Sequence, residues 1–286
     1  MDSKKLLTDM EGGMVCDDAD WMQQAINDLG VPQLLEIVLD NVGNTHSLVR
    51  ENILGILFEL VMDDHLSNEE YLRIFDASLS NMFNGLGSNG DDSVFCRAFS
   101  SLGVAHVVYK DGKQECNILS TDQYLLALNK AIEYMGREED RRGFVLGKGW
   151  ANAPSHGAYM FEMLIEHPKF PIDYADKILR CIGFHITSQD CFTSKEEASL
   201  AKIIPILINL GLDQMAVQTW IKSLLPHITA KPYTDEEHYY DRIIFNIGYF
   251  LTALYYALRS KPEYDGLREF ISTFEPEMFD LARTEA

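Results

Sequence analysis

Along most of this chain apolar residues recur at every third or fourth position and only rarely at every second. Leu34, Leu35, Val38 and Val42 form one run, and Leu48, Ile53, Ile56, Leu57, Leu60 and Val61 form the next. The period continues through residues 71–83, 94–108, 124–135, 158–165, 172–186, 200–210 and 215–225. At 3.6 residues per turn this spacing lines one face of a helix, so each run predicts an amphipathic helix. Polar punctuation agrees. Ser67 with Glu70, Ser120 with Gln123, Ser194 with Glu197 and Thr234 with Glu237 each set a hydroxyl three residues ahead of a Glu or Gln, before an apolar run. That spacing lets side chain and backbone cap each other, which predicts four helix starts. Strand-like alternation is scarce, and residues 104–109 read as the end of a helix.

The gaps between runs are short, which favours antiparallel neighbours. Helix hairpins are expected to begin near residues 47, 93, 153, 194 and 239, a spacing that overlaps the roughly 40-residue period of helical repeats. The expected fold is therefore all-α: an αα-superhelix of antiparallel helix pairs, HEAT/armadillo-like, with a closed αα-toroid as the alternative. One continuous domain is expected over residues 1–286, with residues 1–30 partly irregular. Two stretches break the pattern. Residues 84–92, N-G-L-G-S-N-G-D-D, predict a loop. Residues 141–155, R-R-G-F-V-L-G-K-G-W-A-N-A-P-S, hold three glycines and a tryptophan in mid-chain. The apolar stretches 203–212 and 243–258 fall short of the roughly 20 residues that span a bilayer and read as buried core helices.

Composition narrows the partners. Across 286 residues, 24 Lys and Arg face 44 Asp and Glu, a formal net charge of −20. That field repels phosphate backbones and anionic headgroups, so neither nucleic acid nor a membrane surface is expected as a partner. Cys16, Cys96, Cys116, Cys181 and Cys191 form no C-x-x-C pair, and the start, M-D-S-K-K-L-L-T-D-M-E, has no apolar stretch of a signal peptide. Reduced thiols and a cytoplasmic location are the expectation.

The stretch E-D-R-R-G-F-V-L-G-K-G-W-A-N-A-P-S-H-G-A-Y, residues 139–159, resembles the signature of a bacterial family of uncharacterised helical proteins, domain of unknown function 2785, whose pattern runs D-x-R-G-[FY]-x-x-G-K-G-W-A-H-A-x-A-H-x-A-D. D-S-V-F-C-R-A-F-S-S-L, residues 92–102, is similar to that family's F-x-R-S-F-S-x-L helix. The resemblance implies an armadillo-type fold with no established activity, and it singles out Arg97, Asp140, Arg142, Gly143, Lys148, Gly149, Trp150 and His156. Two positions depart from the pattern: Asn152 stands where it has a His, and Tyr159 where it has an Asp.

Those departures bear on chemistry. H-x-x-x-H-x-x-D on a helix would set two imidazoles and a carboxylate on one face, a three-ligand metal set. An amide and a phenol in place of two of them make a poor one, so no metal and no cofactor are expected. G-F-V-L-G-K-G differs from a phosphate loop by one residue between the glycines and lacks the Ser or Thr after the lysine. A small anion at Lys148, Arg142 and a nearby helix N-terminus is the residual form of that idea. Against these stand plainer readings: Asp140 and Arg142 in a buried salt-bridge network with Arg97, Trp150 as a core anchor, His156 with no nucleophile placed beside it except Ser155, and Glu162 with Glu166 as a solvated face. The cluster to follow is thus Arg97, Asp140, Arg142, Lys148, Trp150, Asn152, His156 and Tyr159. Two functions compete for it. One is a helical scaffold that binds a protein or peptide segment, basic or amphipathic to suit an acidic chain. The other is a small-molecule or anion binder, or a hydrolase-like enzyme, with Arg142 and Lys148 on an anion and His156 moving protons. The base rate for the architecture favours the scaffold.

Overall fold

The computed structural model describes residues 1–63, 66–113, 117–229, 237–259 and 261–284. Among these residues the structure is all-helical apart from one two-stranded ribbon. It packs as two compact units, Met1–Lys169 and Phe170–Ala286.

The first unit carries α1 (Ser3–Gly12), α2 (Ala19–Leu29), α3 (Val31–Asn41), α4 (Ser47–Met62), α5 (Asn68–Asn81), α6 (Ser93–Asp111), α7 (Thr121–Met135), the strands β1 (Phe144–Val145) and β2 (Gly149–Trp150), and α8 (Ala153–Glu166). The capping boxes of Ser67 and Ser120 form as the sequence predicts, each with both reciprocal bonds. Residues 104–109 lie within α6.

Contacts fix how these helices stack. Arg50 of α4 meets Phe95 and Phe99 of α6, Phe58 meets His106, and Lys110 donates to the Met62 carbonyl. Phe99 in turn meets His156 of α8, His106 meets Tyr159, and Asp111 meets His167. Residue numbers rise together on all three helices, so α4, α6 and α8 run parallel, with their N-termini at one end of the layer. The intervening helices run the other way. Tyr71 at the start of α5 bonds the Val61 carbonyl at the end of α4, and Tyr124 at the start of α7 bonds the Leu164 carbonyl near the end of α8. Nearly every residue of α6 is buried, as a helix flanked on several sides must be. Small residues permit the approach: a Cβ on Gly103 would sit 2.4 Å from the Ser78 hydroxyl, and one on Gly157 2.0 Å from the Met135 sulfur.

The second unit carries α9 (Ala175–Ile186), α10 (Glu196–Ala201), α11 (Ile203–Asn209), α12 (Gln214–Lys222), α13 (Pro226–Thr229), α14 (Glu237–Ala257) and α15 (Asp265–Thr284). Two expectations change here. The run 200–210 is split between α10 and α11, because Pro205 has no N–H to give the carbonyl at Ala201 and its ring crowds that carbonyl. The Ser194 box does not form. Lys195 takes a left-handed conformation (φ 66°), the helix starts at Glu196, and the Glu196 carboxylate turns back to accept from the Ser194 N–H at 2.7 Å. The fourth box, at Thr234, lies outside the described residues. Buried Asn246 of α14 fastens the 188–192 loop by donating to the carbonyls of Ser188 and Asp190 and accepting from the Phe192 N–H. No helix among the described residues is long and apolar enough to cross a membrane.

Candidate functional site

The residues singled out by sequence gather where the parallel helices α4, α6 and α8 begin. Arg97 is fully buried and forks onto Glu138, with Nε to Oε2 at 2.5 Å and Nη2 to Oε1 at 2.9 Å. Its remaining donors reach the Asn84, Gly85 and Ser88 carbonyls and the Ser93 hydroxyl, which ties the 84–92 loop to α6. Burial works against this guanidinium, but Glu138 outweighs it and holds the pKa above its ordinary value. Asp140, also fully buried, accepts two-pronged bonds from Arg142, accepts from the Gly90 N–H, and through its own N–H donates to Glu138. The expected network of Arg97, Asp140 and Arg142 is therefore present as two linked pairs, with Glu138 as the partner that spacing did not reveal.

Residues 141–155 form a ribbon that the scarcity of alternation did not predict. β1 and β2 pair antiparallel, Phe144 opposite Trp150, and the ladder continues through Ala151 N–H to the Gly143 carbonyl and Asn152 N–H to the Arg142 carbonyl. Gly147 (φ 78°) and Gly149 (φ 80°) supply left-handed angles that two-residue strands on a tight turn require. Gly149 also lies against α4, where an added Cβ would stand 2.7 Å from Ser47 Cβ. Trp150 corrects an expectation. It is 44% exposed and packs edge-on against Phe144 outside the core, because its strand position points away from α4. Leu146 at the turn is 92% exposed. Lys148 donates to both oxygens of Asp92 at 2.6 Å, so Lys148 and Arg142 each already hold a carboxylate.

Beneath the ribbon lies a residue sequence reasoning missed. Arg50 is fully buried on α4, its guanidinium over the Phe95 and Phe99 rings at 4.2 and 4.9 Å. It donates to the carbonyls of Asn44, Lys148 and Trp150 at 2.7, 2.6 and 3.0 Å. These are the bonds that brace the ribbon. Burial lowers its pKa, opposed by the charge of Glu51, yet among the described residues Arg50 makes no ion pair. Among the described residues its Nε has no partner, and neither does His156 Nδ1 or Asn152 Oδ1, all three atoms buried. His156 packs on the same Phe99 ring and lies within the field of Arg50; burial lowers its pKa to about 4, so it is neutral. Asn152 takes a left-handed conformation (φ 51°) as the N-cap of α8, outside the helix. The single helical face imagined for positions 152, 156 and 159 is therefore absent, and Tyr159 lies further along, against His106. Among the described residues no three His, Cys, Asp or Glu side chains gather in a metal-binding arrangement.

The family model described as Protein of unknown function (DUF2785) matches residues 82–256. The chain belongs to that family. No curated protein and no solved structure matches it. The family's matched span takes in α6, the ribbon and α8, whereas Arg50, which ties them together, lies ahead of it.

The opposite end of the same layer is built differently. Asp111 at the close of α6 is buried and accepts from the Ile118 and Leu119 N–H groups at 2.7 and 2.9 Å, from Lys169 Nζ at 2.9 Å and from His167 Nε2 at 3.0 Å. His167 Nδ1 accepts the Lys169 N–H, which fixes the Nε2-protonated tautomer, and its ring stacks on Tyr124 at 4.5 Å. No sequence spacing signals this group, since Asp111 and His167 are 56 positions apart. Near the end of α4 an acidic cavity of about 360 Å³ is lined by Asp17, Glu59 and Asp63 with Met22 and Ile26 as apolar wall.

Proposed function

We propose that this chain is a protein- or peptide-interaction scaffold of HEAT/armadillo-like helix pairs, and that its ribbon takes an amphipathic, basic segment of a partner. One observation carries the reading: Phe144, Leu146 and Trp150 stand 55%, 92% and 44% exposed on a ribbon that Arg50 holds by two carbonyls. Large apolar side chains on a braced element have little conformational entropy left to lose on binding, which is what an interaction anchor needs. The parallel layer of α4, α6 and α8 with antiparallel α5 and α7 supports the stacked-pair architecture. The net charge of −20 favours a basic partner.

The test is a fluorescence titration against peptides graded in charge and apolar content. Basic amphipathic peptides are expected to bind and to shift the Trp150 emission. Leu146→Asp should weaken them about tenfold or more while thermal unfolding stays unchanged. Equal binding by wild type and Leu146→Asp, or none by either, overturns the proposal.

A further inference from the structure

The N-terminal end of the α4–α6–α8 layer holds the cations Arg50, Arg97, Arg142 and Lys148 among others. Glu138, Asp140 and Asp92 pair with the last three. Arg50 is left over: the Glu51 charge acts on it, but no carboxylate among the described residues bonds it. A fully buried guanidinium without a counter-ion is costly, and here its surroundings add to the cost. α4 and α8 both begin beside it, neither has a side-chain cap or an acidic residue in its first turn, and a helix N-terminus carries roughly half a positive charge. One buried positive charge is thus left without a carboxylate among the described residues, in a chain of net charge −20.

We propose that this end binds a small oxyanion, phosphate or carboxylate, held by Arg50 between the first turns of α4 and α8. The buried Arg50 Nε, Asn152 Oδ1 and His156 Nδ1, all on residues of this end, have no partners among the described residues. Arg50 and His156 share the Phe99 ring, and Asn152 is the residue whose carbonyl accepts the His156 N–H. The Asn152 amide presents either its oxygen or its NH2 inward by a simple flip. The first turn of α8 adds the N–H groups of Ala153 and Ser155, which by position have no intrahelical acceptor. Gly149 completes the surround, since a Cβ there would come within 3.3 Å of Arg50 Nη2 as well as striking Ser47. A planar guanidinium with helix N–H groups is the donor set that oxyanions take. Lys148 and Arg142, which spacing alone suggested, are occupied by carboxylates; Arg50 is the cation with capacity to spare.

The test uses the full chain and inorganic phosphate, with acetate as a second arm and chloride at equal ionic strength as the control. Phosphate should raise the melting temperature saturably, by about 2–4 °C at ten times its Kd. Asn152→Asp places a resident carboxylate beside Arg50, so it should raise the melting temperature without phosphate and abolish the phosphate response. Arg50→Met should abolish the response too, and if that variant does not fold, Asn152→Asp decides alone. Leu146→Asp should keep the response, which separates this site from the proposed partner surface. Acetate acting as well as phosphate identifies a carboxylate site, and phosphate acting alone a phosphate site. No difference between phosphate, acetate and chloride, or an undiminished response in Asn152→Asp, overturns the proposal.

Discussion

The two ends of one helical layer differ in what they leave unsatisfied. Where α4, α6 and α8 end, cations meet the negative ends of helix dipoles: Lys110 donates to the Met62 carbonyl, and Lys169 joins His167 and two backbone N–H groups on Asp111. There the carboxylate of Asp111 opposes the α6 dipole, and the cations and N–H groups bonded to it satisfy it. Where the same helices begin, the buried Arg50 has no carboxylate, and its Nε, Asn152 Oδ1 and His156 Nδ1 lack partners among the described residues. A fold whose every local choice agrees is structural, and places that break the local rules tend to carry function. The comparison therefore assigns architecture to the C-terminal end and ligand chemistry to the N-terminal end.

Breaking the satisfied end should cost most. Asp111→Ala removes four acceptor bonds and leaves the Lys169 ammonium and the Ile118 and Leu119 N–H groups without their carboxylate. A loss of about 3–5 kcal/mol is expected, the usual result of orphaning one partner of a buried ion pair. Urea denaturation measures it. A loss below about 1 kcal/mol would show that water replaces the carboxylate freely and that the two ends are alike.

Acid should act on both ends, by different groups. Burial lowers the pKa of His106 and of His156 from 6.5 to about 4, and it lowers that of His167. A histidine depressed in the folded state is neutral there while the unfolded chain takes up a proton, so stability is lost as pH falls below 6.5 and the loss levels off near 4. By about pH 5 each of the first two can remove on the order of 2 kcal/mol. Asp111 acts in the same direction but at lower pH. Burial raises its pKa, but the Leu119 N–H, Lys169 and the Ile118 N–H outweigh that, so its contribution is held until pH falls below the ordinary carboxylate value of 3.8. Urea midpoints read from neutral to acid pH should fall in two stages. His106→Phe, which keeps a ring between Phe58 and Tyr159, should flatten the first stage. A single stage confined to pH below 4 would contradict the buried neutral histidines.

Much of this architecture was legible from spacing. The 3.6-residue period located α3 to α9, and the boxes at Ser67 and Ser120 located two starts, because both signals act within a few residues. What escaped depends on contacts between distant positions. Arg50 reads as one more polar residue in an apolar run, and only the return of the chain 98 and 100 positions later gives it the Lys148 and Trp150 carbonyls. Trp150 read as core because its size suggests burial, whereas the ribbon turns it outward. Of the candidate cluster, Arg97, Asp140, Arg142, Lys148, Asn152 and His156 do gather at one end, and the Asp140–Arg142 pair was readable, but the partners of Arg97 and Lys148 were not. Glu138 lies one residue ahead of the family-like motif and draws no notice until its carboxylate is seen on Arg97.

The smallest expected effect sharpens the comparison most cheaply. Lys148 meets Asp92 at 2.6 Å and Lys169 meets Asp111 at 2.9 Å, so distance alone would rank the first pair as the stronger. Solvent reverses the order. Lys148 and Asp92 are 40% and 43% exposed, so water screens them and both side chains lose rotamer freedom to hold the pair, whereas Asp111 is fully buried. Lys148→Gln should therefore cost no more than about 0.5 kcal/mol in urea, an effect that salt erodes further. It should also leave the phosphate response intact, because the oxyanion is held by the guanidinium below the ribbon and not by the amine on it. A phosphate response lost in Lys148→Gln would move the anion to the outer face and return Arg50 to a purely bracing role.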